Sequence, residues 1–124
     1  KKAGLYEKKL YQNLDVNVYG DEFGPYYQKL LDAKVFVSIM SATYDGCCSV
    51  GATEGWMREQ KFWNANWESA PWTDTGNGKS KTWPMSEFEI VEKCGHAIFS
   101  YKPNGKSVTL AKLRRLTSKG FGVF

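Results

Sequence analysis

All five tryptophans of this chain, Trp56, Trp63, Trp67, Trp72 and Trp83, fall between residues 56 and 83. An indole is large, rigid and carries one N–H that needs a partner, so a cluster demands either a compact core or an aromatic contact surface. The residues between them include Asn64, Asn66, Glu68, Asp74, Thr75, Gly76, Asn77, Gly78 and Ser80, which is the chemistry of turns and loops. The segment is therefore expected to be a long Trp-rich loop that presents aromatic side chains to a ligand or partner. A helix over Trp56–Trp67 is the competing expectation, because Trp56, Gln60, Trp63 and Trp67 recur at helical spacing; in that case the indoles are core.

At 124 residues the chain suits one globular domain spanning 1–124. Its 42% hydrophobic and 24% charged composition excludes a disordered chain. No run approaches the roughly 20 apolar residues of a transmembrane helix. Lys1–Glu7 is not followed by the apolar stretch of a signal peptide.

Charge divides the chain unequally. The last acidic residue is Glu92, and after it come Lys93, Lys102, Lys106, Lys112, Arg114, Arg115 and Lys119 with no carboxylate. An acid-free C-terminal quarter suits an anionic partner: an acidic protein face or another anionic macromolecule such as nucleic acid, or lipid headgroups. The alternative is that these cations pair with acidic residues earlier in the same fold.

Secondary structure follows from spacing. Tyr6, Leu10 and Leu14 share one face of a short helix over 5–14, and Asp15–Tyr19 suits a brief strand. Pro25 opens a helix over 26–33. Residues 34–44 alternate as a strand that is apolar on both faces, which predicts a central strand. Asp45-Gly46 supplies a turn, and 47–55 is a small-residue loop. No regular structure is expected over 68–81. Residues 85–93 alternate with Phe88 and Ile90 on one face and Glu87, Glu89 and Val91 on the other. Strands over 96–101 and 107–113 are joined by Pro103-Asn104-Gly105, a hairpin signal; Leu110, Leu113 and Leu116 equally suit a final helix ended by Gly120. The fold class is thus α+β: an antiparallel sheet of about four strands (35–44, 86–92, 96–101, 107–113) with N-terminal helices on one face.

Catalytic signatures are sparse. There is one histidine, no phosphate-binding glycine loop and no nucleophile elbow. The nearest approach to an active site is Cys94 with His96, which share a face if both lie on a strand; an orienting group is not identified. The three cysteines are expected as free thiols, or with Cys94 bridged to Cys47 or Cys48, or with a covalent cofactor. With no C-x₂-C pair and no second histidine, neither a metal nor a cofactor is expected.

The string Asn66-Trp67-Glu68-Ser69-Ala70-Pro71-Trp72 resembles a carbohydrate-contact motif of an algal and bacterial high-mannose lectin family. The resemblance is confined to these residues, and Glu68-Ser69 stands where the family has paired glycines; it implies glycan stacking on Trp67 and Trp72. The sequence therefore supports a non-catalytic binding or accessory-subunit protein, with Trp56, Trp63, Trp67, Trp72, Trp83, Arg114 and Arg115 as contact residues. Carbohydrate binding is the alternative, and single-stranded nucleic-acid binding a further one.

Overall fold

A computed structural model describes residues 17–100 and 104–119. The expected helix over 5–14 lies outside them, as does most of the hairpin connection ahead of residue 104. The elements run α1 (Asn17–Asp32), β1 (Val37–Ala42), α2 (Val50–Glu59), α3 (Lys61–Asn66), a 3₁₀ turn (Trp67–Ser69), β2 (Thr73–Asp74), β3 (Gly78–Trp83), β4 (Ser86–Val91), a second 3₁₀ turn (Ile98–Ser100) and α4 (Asn104–Ser118). The class is α+β, with a four-stranded mixed sheet in the order β1-β4-β3-β2.

The sheet differs from expectation in ways that have physical causes. β1 runs parallel to β4, pairing Val37 with Ser86 through Ala42 with Val91, while β4–β3 and β3–β2 are antiparallel. β1 is an edge strand and β4 is internal. Alternation reports what covers the two faces of a strand and says nothing about its neighbours in the sheet. β3 begins inside the 68–81 stretch where no regular structure was expected, because Asp74, Thr75, Gly76, Asn77 and Gly78 are turn-forming residues. Gly78 opens it at φ +148°, and a Cβ there would lie 1.9 Å from the Ile90 carbonyl oxygen, so only glycine lets β3 approach β4 at this point. The strands expected over 96–101 and 107–113 are instead a 3₁₀ turn and α4. Val108, Lys112 and Arg115 recur at i, i+4 and i+7, a helical face that alternation had masked. α1 passes through the 17–19 region and through Pro25 without the expected strand or restart.

The larger core cluster occupies one face of the sheet, and a smaller one of Ala42, Val91, Cys94 and Val108 lies under α4 on the other. Phe88 and Ile90 of β4 and Val37 of β1 pack with Leu31, Met57, Trp63, Trp67 and Trp83. Ser49 caps α2, its hydroxyl accepting from the Ala52 N–H at 3.2 Å. α3 follows after only Gln60, so α2 and α3 deliver Trp56 and Trp63 to the same apolar layer.

Candidate functional site

The indoles expected at a contact surface are mostly interior. Trp63, Trp67 and Trp83 are buried, and Trp56 and Trp72 are half-buried against the same cluster. Their N–H groups are satisfied internally where it matters most: Trp63 Nε1 donates to Ser86 Oγ at 3.0 Å, and Trp83 Nε1 to the Asn66 carbonyl at 2.8 Å. The cation-binding capacity of the cluster is also filled from within. Lys81 Nζ lies 5.2 Å from the ring centres of both Trp67 and Trp72 and donates to the carbonyls of Trp67 and Ala70. Arg58 and Lys79 cover Trp67 and Trp72 from further directions, at 4.6 and 4.5 Å. The segment is thus an aromatic cage closed on the chain's own lysine.

The opposite face of the sheet is charged and covered by α4. Because side chains alternate along β4, Glu87 and Glu89 point away from the core that takes Phe88 and Ile90. Lys112 Nζ reaches Glu87 Oε1 at 2.7 Å, Glu89 Oε2 at 2.6 Å and Ser38 Oγ at 3.1 Å. Ser38 Oγ donates to Glu87 Oε1 at 2.8 Å, and Arg115 Nη2 to Glu87 Oε2 at 2.5 Å. Burial pushes the Glu87 carboxyl up, but the Lys112 ammonium, with Ser38 and Arg115, outweighs it and holds the group below its ordinary value. A groove of about 540 Å³ runs beside this network, lined among others by Ser80, Thr82, Lys112 and Lys119.

The two arginines predicted as contacts therefore part company. Arg115 turns in to Glu87, and Arg114 is exposed beside Leu110 and Leu113, which are 44% and 38% exposed. Glu87, Glu89 and Lys112 were not anticipated as a group. The signal was present: two carboxylates at i, i+2 on one strand, and an acid-free segment with Lys112 and Arg115 at i, i+3.

Cys94 and His96 do not form a pair. Cys94 is buried with Val91 and Val108, and burial pushes its thiol up, against a hydrogen bond with the Gly105 backbone. The His96 side chain is 68% exposed and its Nδ1 lies 2.8 Å from Asp45 Oδ2. All three cysteines are free thiols. Neither a known family's sequence profile nor any curated protein matches the chain. Among the described residues no helix is long and apolar enough to cross a membrane.

Proposed function

We propose that the protein is a non-catalytic docking domain that binds an acidic partner protein across the outer face of α4. The observation that carries this reading is the division of labour on that helix. Its inner face, through Val108, Lys112 and Arg115, is committed to the sheet, while Leu110, Leu113 and Arg114 form a solvent-facing stripe of two leucines and a cation. Two adjacent leucines with an arginine at their edge suit a partner that offers an apolar patch rimmed by carboxylates. Glycan stacking is less well supported, since Trp67 is buried and its ring is already covered by Arg58 and Lys81.

The test is capture from an extract of the source organism by immobilised protein across a salt series. A partner retained at low salt, released as exposed charges are screened, and not retained by Leu113→Asp/Arg114→Ser is the expected result. Retention of the same species by that double variant, with no salt dependence, overturns the reading. Nucleic acid as the retained species would replace the protein partner.

A further inference from the structure

β1 and β4 are parallel, so the segments that follow them leave the sheet at the same end. Open sheets commonly place ligands outside the carboxyl ends of parallel strands, where successive connections diverge. Here the two segments are stapled together: Tyr44 N donates to the Cys94 carbonyl at 2.8 Å, and Lys93 N to Thr43 Oγ1 at 2.9 Å. Lys93 turns the chain at φ +54°, a left-handed conformation uncommon for a side chain other than glycine. This brings His96 over the Asp45–Cys48 loop.

Three donors of different chemistry converge there. The Asp45 carboxylate, the Cys48 thiol and the His96 imidazole have ligand atoms within 4.8 Å of one another. Asp45 is the fixed point. Its side chain is 7% exposed, and Oδ1 accepts from the N–H groups of Cys47 and Cys48 at 2.8 and 2.9 Å, leaving Oδ2 directed to His96. Cys48 and His96 are exposed and so can move toward a common centre.

We propose that Asp45, Cys48 and His96 bind one divalent ion of the zinc class. A carboxylate, an imidazole and a thiolate are ligands that zinc accepts together at bond lengths of about 2.0–2.3 Å, which puts tetrahedral donors roughly 3.5 Å apart. Asp45 Oδ2 and His96 Nδ1, 2.8 Å apart, open slightly to admit the ion, while no other donor pair exceeds 4.8 Å, so a closure of about 1 Å suffices. Thiolate and imidazole disfavour magnesium and calcium, which take oxygen. On binding, the Cys48 S–H bond gives way to an S–metal bond and the proton passes to solvent, while the imidazole coordinates in its neutral form. The fourth position is left to water, because Cys48 and His96 lie at the surface. The same ion would clip the β1–α2 connection to the segment after β4, stabilising the end of the sheet. The docking reading is independent of this site.

The experiment is titration of the isolated chain with Co²⁺ and Zn²⁺ under reducing conditions. One Co²⁺ per chain, with a thiolate-to-cobalt charge-transfer band, is expected. Cys48→Ser should abolish the band, and Cys47→Ser should keep it. His96→Gln replaces an exposed side chain with one whose amide can still donate to Asp45 Oδ2, and it should weaken Zn²⁺ binding about tenfold or more. Asp45→Asn, which retains an oxygen to accept from the loop, should do the same. Absence of saturable binding near one ion per chain, or a band lost in Cys47→Ser and kept in Cys48→Ser, overturns the proposal.

Discussion

At the middle of β4, Phe88 on one face and Glu87 on the other are both buried, and opposite physics holds them there. Phe88 is fully buried and Glu87 is 3% exposed, although they are neighbours on one strand. For Phe88, leaving water is itself the stabilising step, on the order of 25 cal/mol per Å². For Glu87, leaving water is costly, and only Lys112, Arg115 and Ser38 offset it. The tryptophan face can therefore be altered in graded steps, with each lost volume adding its own cost. The charged face is a closed set in which one missing member strands the others.

Removing the largest buried indole gives the largest effect. Trp63→Ala deletes a side chain with no exposure and takes away the donor to Ser86, so a loss of about 3–5 kcal/mol is expected in urea unfolding. A cost below about 1 kcal/mol would mean that the indoles are not the core. On the other face, Glu87→Gln should cost about 3 kcal/mol, because Arg115 loses its carboxylate and Lys112 keeps only Glu89 as a charged partner, beside Ser38. The contrast sharpens in a double-mutant cycle. Glu87→Gln with Lys112→Met should show a coupling of about 1–3 kcal/mol, whereas Trp63→Ala with Glu87→Gln, on opposite faces, should be additive to about 0.5 kcal/mol.

Legibility in the sequence follows the same division. The period-2 pattern of residues 86–91 put Phe88 and Ile90 on one face and Glu87 and Glu89 on the other, which is what the sheet shows. It could not tell that the second face would be covered too, because the cover is α4, read mainly as a strand. β3 escaped notice for a related reason: Lys81 is buried, but between indoles and carbonyls whose approach depends on the tertiary fold. The tryptophans were conspicuous in the chain, and their packing inside was the reading that helical spacing offered. The grouping of Asp45, Cys48 and His96 was illegible at short range. Adjacency in sequence favoured Cys94 with His96, whereas a parallel β1–β4 pair, unanticipated in sequence, joins positions 45 and 96.

Acid should separate the faces next. Glu87 in the folded protein sits below its ordinary value near 4.5, so it contributes stability above that value and loses it as pH falls through the lowered one. Asp45 acts in the same direction, through the Cys48 N–H bond first, then His96 and the Cys47 N–H bond, against the effect of burial. Unfolding free energy is expected to decline from about pH 4.5 downward, and Glu87→Gln should flatten that decline. Trp63→Ala should lower the whole curve without changing its slope. An acid limb equally steep in Glu87→Gln would assign the pH dependence to other carboxylates.

The smallest change in stability is expected at the residue with the most to say about function. Arg114 and Arg115 are adjacent and identical in chemistry, but helical geometry turns them about 100° apart. Arg115 reaches Glu87 beneath α4, and Arg114 lies outside among Leu110 and Leu113. Arg115→Ser should cost roughly 1 kcal/mol, discounted from a fully buried pair because the arginine is 40% exposed. Arg114→Ser should move unfolding by less than about 0.5 kcal/mol. Partner retention should show the reverse order: Arg114→Ser weakens it and flattens its salt dependence, and Arg115→Ser leaves it close to wild type under conditions where both are folded. Equal losses of retention in the two variants would mean that the inner network itself meets the partner, and the division between a structural and a docking face of α4 would have to be abandoned.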